Sequence, residues 1–296
     1  MKGPGSYESF FGLVERPFSL TPDPRYFFQS RSHGLARETI TDGLRRRERF
    51  LLVTGDLGVG KTVICRTLIP ELRRYVPVSF IANPLLTPSG LFRLLLEDFG
   101  EMSASKSPRE AASGATPHQL RDRLVAFLDR SRSNGLGAVV VIDEAQTLPL
   151  SVVEHLLLLG ALHHQGEQPL QLVLIGQSVL GEPSAIGVRA LNAHVSTRAR
   201  LTPLGRDECA GYIAHRLAVA GAEGHSIFTS SAIDLLYALS GGVPRLVNLL
   251  AERALQEAAT ERTHKVGPGM IDAAASALEL LRGTTRRFRW FSRRVS

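Results

Sequence analysis

Two cysteines, Cys65 and Cys209, are too few to staple a chain of 296 residues. A disulfide framework is therefore excluded, and a reducing compartment fits. No run approaches the 18 or so apolar residues of a membrane helix. The richest stretch, VVEHLLLLGAL at 152–162, is short and carries Glu154 and His155. The opening MKGPGSYESFFGL has no apolar signal core, so export is not expected. The nine histidines show no metal-ligand spacing, and His163–His164 read as surface residues. No Ser/His/Asp or Cys/His nucleophile pattern stands out. Net charge is also scarce over most of the chain. The net charge is +7, but Arg282 to Ser296 holds six arginines and no acid, so the rest carries about +1. Hydrophobic residues make up 44% and charged residues 21%, a balance that builds a sizeable core and excludes wholesale disorder.

The chain divides by composition. Residues 1–30 are rich in aromatics and proline. Pro17, Pro22 and Pro24 argue against a continuous helix there, so an extended arm is expected, pinned by Phe10, Phe11, Phe18, Phe27 and Phe28. Strand patterns follow at 50–55 (FLLVTG), 76–83 (VPVSFIAN), 138–142 (AVVVI) and 170–176 (LQLVLIG). Helical patterns lie between them, at 31–48, 61–75, 88–99, 118–132 and 151–164, and residues 100–117 read as a surface loop. Strands alternating with helices imply an α/β fold with a parallel sheet covered on both faces. After about Leu201 only helical patterns remain, near 205–220, 230–240, 244–261 and 268–282. The expected organisation is an arm (1–30), an α/β core (31–201), a helical domain (202–282) and a basic tail (283–296).

The loop GDLGVGKT at 55–62 fits the phosphate-binding pattern G-x-x-x-x-G-K-[ST]. A triphosphate needs many donors that can approach closely. Gly55, Asp56, Leu57, Gly58, Val59 and Gly60 supply a backbone that curls with its N–H groups inward. The following helix N-terminus favours anions. Lys61 reaches the β- and γ-phosphates, and Thr62 offers its hydroxyl to Mg²⁺. In VVVIDEAQ (139–146), Asp143 and Glu144 come directly off an apolar strand. Ligands bind beyond the carboxyl ends of parallel strands. Asp143 can hold the ion, and Glu144 can orient the attacking water. Gln177 follows the strand 170–176, where a polar side chain can sense the γ-phosphate; a capping or loop role stands equally beside it. Arg245 follows Pro244 in SGGVPRLVNLL (240–250) and becomes a phosphate sensor if the helical domain folds over the nucleotide.

Together these segments resemble the AAA+ ATPases of the general secretion pathway protein A (ExeA-like) family. That family is akin to TnsC/TniB-type transposition ATPases and the origin-recognition clade. The resemblance runs over about 7–282. It is carried by YESFFGLVERPFSLTPDP with Tyr26, Phe27 and Phe28, by His33, GDLGVGKT, VVVIDEAQ and LQLVLIGQ, and by YIAHRLAVAG (212–221) and LSGGVPRLVNLLAERAL (239–255). It implies an αβα P-loop NTPase core followed by a small all-helical lid. It also implies ATP with Mg²⁺, a homo-oligomer that forms with ATP, and a protein partner in a secretion or envelope complex. The implied place is the cytoplasm, peripheral at the inner membrane.

Two departures from the family matter. Where the family carries LNQRI, this chain reads LNAHV (191–195), with His194 at the arginine position. A mostly neutral histidine is a poor arginine finger near pH 7. Arg198 is the favoured replacement, with Arg189 and Arg200 nearby; otherwise hydrolysis stimulated by a neighbouring subunit is weak. The chain also stops at RRFRWFSRRVS, where secretion members continue into a membrane helix. That tail reads as a juxtamembrane segment, as a contact for anionic lipid or DNA, or as a solvated end. Two further functions therefore stand beside the secretion reading: a TnsC/TniB-like DNA-associated ATPase, and an ATP-gated scaffold with little hydrolysis.

Overall fold

Three apolar runs of the sequence form the middle of a five-stranded parallel sheet. The computed structural model describes residues 6–102, 115–133, 137–162, 169–178, 190–222 and 226–278. It divides into two units, Arg31–Leu57 with Lys61–Thr202, and Met1–Ser30 with Gly58–Gly60 and Pro203–Ser296. The sequence-stretches 103–114, 163–168 and 279–296, and with them His163–His164 and the basic tail, lie outside the described residues, as does Arg189.

In the first unit α1 (Arg31–Arg45) leads into β1 (Phe50–Gly55) and α2 (Lys61–Leu72). Then come β2 (Val78–Ile81), α3 (Pro88–Asp98), α4 (Pro117–Ser133), β3 (Ala138–Ile142), α5 (Leu150–Gly160), β4 (Leu170–Gly176) and β5 (Thr197–Leu201). The sheet order is β2-β3-β4-β1-β5, and every pair is parallel. Strands β3 and β4 are buried along their whole length, and β1 at all but Thr54. Burial on both faces explains their unbroken Val, Ile and Leu runs. One side of the core packs Leu52, Val140, Ile142, Leu172 and Leu174 with Leu91, Leu95, Leu124 and Leu156 from the helices. Thr87 caps α3 by accepting the Gly90 N–H at 3.1 Å, and Pro88 stands in its first turn.

The strand β5 was not expected from sequence. It reads TRARL, with Thr197 and Leu201 buried and Arg198 and Arg200 exposed. An edge strand covered on one face alternates polar and apolar residues, so it shows no apolar run. The helices expected over 61–75 and 151–164 end earlier, at Leu72 and Gly160. The strand expected over 76–83 is confined to Val78–Ile81.

The second unit is helical: α6 (Arg206–Val219), α7 (Ser230–Ser240), α8 (Pro244–Thr260) and α9 (Pro268–Ala277). Among the described residues one isolated parallel bridge pairs Phe228 with Val266. The arm belongs to this unit and is not extended throughout. It forms one helical turn at Tyr7–Phe10 and a 3-10 turn at Pro24–Tyr26. Tyr7, Leu13 and Phe18 enter the same apolar cluster as Leu217, Leu236, Val247 and Leu250. Arg216 ties the arm down. Its buried guanidinium donates to the Pro17 carbonyl, to the Ser19 carbonyl at 3.1 Å and to the Tyr212 hydroxyl at 2.9 Å. It also lies over the Tyr26 ring, 4.5 Å from the centroid. The Tyr212 hydroxyl donates in turn to Asn248 at 2.9 Å.

Candidate functional site

The carboxyl ends of β1, β3 and β4 converge on one polar cluster. β1 ends at Gly55, and α2 begins at Lys61. In the loop between them Gly58 and Gly60 adopt φ of +85° and +102°, conformations that only glycine takes without strain. Gly58 has a second reason to be glycine. A Cβ there would lie 2.8 Å from the Arg245 Cβ, and the Arg245 N–H donates to the Gly58 carbonyl at 3.2 Å. The Arg245 side chain is exposed in the first turn of α8.

Lys61 is 5% exposed, and its ammonium donates to the carbonyls of Gly55 at 3.0 Å and Asp56 at 2.9 Å. Burial lowers its pKa, while Glu144, Asp143 and Asp56 act to raise it. The ammonium thus stands in a negative, poorly hydrated setting, held by main-chain oxygens that an anion can replace. Asp56 and Leu57 are exposed and Val59 is buried. The Ser178 hydroxyl donates to Asp56 at 2.7 Å, which joins the loop to the segment after β4.

Thr62 donates its hydroxyl to the Asp143 carboxylate at 2.6 Å, and Asp143 is 3% exposed. These two residues come from sequence positions 81 apart, brought together because β4 alone separates β1 from β3. Glu144 follows in the left-handed region, φ 49° and ψ 38°. Its N–H donates to the other Asp143 oxygen at 2.9 Å, and its carbonyl accepts from the Thr147 N–H and hydroxyl, both at 2.9 Å. Left-handed geometry at a residue with a long side chain is strained, and such strain collects at functional sites.

Gln177 enters the cluster through its backbone. Its N–H donates to the Gln146 Oε1 at 3.1 Å, and the Gln146 Nε2 donates to the Glu144 carboxylate. Gln146 carries no role in the sequence reading, although it closes the VVVIDEAQ segment. Arg198 is not part of this cluster. It pairs in register with Leu52 on the edge strand β5, and its guanidinium donates to Asn192 Oδ1 at 3.1 Å and to the Asn192 carbonyl at 2.9 Å. His194 is exposed, its ring 5.9 Å from that of Phe50 at the amino end of β1. Cys65 is buried and donates to the Lys61 carbonyl at 3.3 Å, and burial holds its thiol protonated.

The donor set fits a triphosphate carrying a divalent ion. Among the described residues no group of three or more His, Cys, Asp or Glu side chains could hold a metal ion. A hydroxyl and one carboxylate alone are too few ligands for a protein cage. They match an ion that draws its remaining oxygens from phosphates and water, as Mg²⁺ does. Among the described residues no helix is long and apolar enough to cross a membrane.

An AAA domain model matches residues 44–182. General secretion pathway protein A of Aeromonas hydrophila is 37% identical over 273 residues, which are 91% of this chain and 48% of that protein. The chain thus spans about half the length of this curated relative. Among solved structures, Cdc6p from Pyrobaculum aerophilum superposes with a TM-score of 0.65 at 15% identity, covering 90% of this chain and 71% of that one. The Aeropyrum pernix ORC1 protein, solved in complex with DNA, superposes with a TM-score of 0.63 at 20% identity, covering 90% and 69%. At such identities these two likenesses show a shared fold alone. With the phosphate loop, the strand order and the relative in view, this chain has a P-loop fold of the AAA+ type and is similar to general secretion pathway protein A.

Proposed function

We propose that the chain binds ATP with Mg²⁺ and hydrolyses it. The reading rests on the contact between Thr62 and Asp143, flanked by Lys61 and Glu144. Lys61 would exchange its two main-chain carbonyls for phosphate oxygens, a gain because its charge is poorly solvated where it stands. Thr62 and Asp143 would hold the Mg²⁺. The ion, when bound, would offset the negative charge of the phosphates. Glu144 would orient a water molecule and take up its proton. Gln177 stands at the end of β4, in reach of a sensing role, and Arg245 would read the phosphates from α8. The Glu144→Gln variant should bind ATP while its turnover falls about a hundredfold or more. Full turnover by that variant would sink the assignment.

The name of the relative supports a role in a secretion or envelope complex. We propose as a further step that hydrolysis drives assembly of that complex and that copies associate with ATP. In such an assembly Arg198 would leave Asn192 and act on a neighbouring copy. Subunits carrying Lys61→Ala mixed with subunits carrying Arg198→Ala test this. Activity above that of either variant alone is expected, because each supplies what the other lacks. Wild-type activity from Arg198→Ala alone would exclude the role.

A further inference from the structure

The hydrolysis reading leaves one question that the geometry answers: what aims the Glu144 carboxylate. The left-handed backbone at Glu144 turns the chain sharply, and Gln146 follows two residues on. The 3-10 turn Ala145–Thr147 is already closed by main-chain bonds, Thr147 N–H to Glu144 at 2.9 Å and Leu148 N–H to Ala145 at 3.3 Å. The Gln146 side chain is therefore not needed to make the turn.

Its amide has one orientation. The Gln177 N–H can only donate, so the Gln146 oxygen must face it, and the distance is 3.1 Å. The amide NH2 then faces the Glu144 carboxylate, which can only accept when ionised. The flipped amide would set donor against donor and acceptor against acceptor. One side chain thus joins a carboxylate after β3 to the main chain after β4. The line of hydrogen bonds runs from Thr62 to Asp143, through the Glu144 N–H, and from the Glu144 carboxylate through Gln146 to Gln177.

We infer that Gln146 is a positioning residue that aims the Glu144 carboxylate by tying it to the end of β4. It touches no reacting atom. It supplies a neutral donor, so the carboxylate loses rotational freedom without a second charged group beside it. Any shift of the β4 terminus then moves the carboxylate as well. The inference rests on the proposed hydrolysis.

Two variants separate aiming from support. Gln146→Glu still accepts from the Gln177 N–H, so β4 keeps its partner, but it faces Glu144 with a carboxylate. Gln146→Met keeps length and bulk without either bond. A purely structural role requires Gln146→Glu to behave as wild type. The positioning role predicts a fall in kcat of about tenfold or more for both variants, since small misalignments are costly. It also predicts ATP affinity within about twofold of wild type for the uncharged Gln146→Met, because binding groups are untouched. The thermal midpoint of Gln146→Glu should stay within about 2 °C. A kcat within twofold of wild type in Gln146→Glu would overturn the inference and leave ATP hydrolysis standing. A wild-type chain that binds ATP and releases no phosphate would overturn both.

Discussion

The sheet unit and the helical unit both bury positive charge, and they do so to opposite ends. Arg216 in the helical unit is held by its own chain, through two arm carbonyls, a phenol and an aromatic face. Lys61 in the sheet unit is held by two carbonyls of its own loop, with Asp143 and Glu144 close enough to act on its charge. The first arrangement is finished and can only hold a structure together. The second is made of exchangeable bonds and suits a ligand that comes and goes. Buried charge alone does not mark a site; the replaceability of its partners does.

The sharpest break of this contrast is in stability. Arg216→Ala leaves the Pro17 and Ser19 carbonyls and the Tyr212 hydroxyl oxygen each short of a donor, and should cost about 3 kcal/mol. Urea unfolding measures it, and a loss below about 0.5 kcal/mol would contradict the structural assignment. Lys61→Met should do the reverse. ATP affinity in calorimetry should fall about a hundredfold, while the thermal midpoint stays within about 2 °C, because the loss of the two carbonyl bonds is offset by no longer burying a charge. A Lys61→Met protein that is strongly destabilised yet binds ATP would invert the comparison.

The smallest effect concerns Glu252 on α8, which accepts from the Tyr7 hydroxyl at 2.7 Å. Burial raises the Glu252 pKa above its ordinary 4.5, with the Tyr7 bond and Arg16 opposing. A carboxyl raised by folding takes up a proton on folding. Its contribution is therefore complete below the ordinary value and is lost as pH rises through the raised one. Glu252→Gln keeps an acceptor for Tyr7 and removes the titration. Its midpoint should gain about 1–2 °C on wild type above that window and match it below. Thermal scans across pH check this; a parallel offset at all pH values would show that Glu252 does not titrate on folding.

The inner strands were legible because a strand buried on both faces writes an unbroken apolar run, as AVVVI and LQLVLIG do. The strand β5 was hidden by its own half-exposure, which interleaves Arg198 and Arg200 with buried residues. Thr62 and Asp143 carry local motifs and stood out. Their meeting depends on β4 lying between β1 and β3, a strand order that no local pattern encodes. Gln146 escaped for a related reason. Its role depends on the left-handed turn at Glu144 and on where β4 ends, so nothing in the letter itself signals it. Arg216 sits in YIAHRL like any solvated helix arginine, and only the folded arm explains its burial.

The left-handed geometry at Glu144 sets two evolutionary pressures against each other at one Cα. Glycine there would relax the main chain and make the fold hardier, yet it would remove the carboxylate. Under the proposed hydrolysis, relatives that abandoned catalysis would be free to make that exchange. A glycine after the aspartate would then be the mark of a lineage that still grips its nucleotide but no longer consumes it.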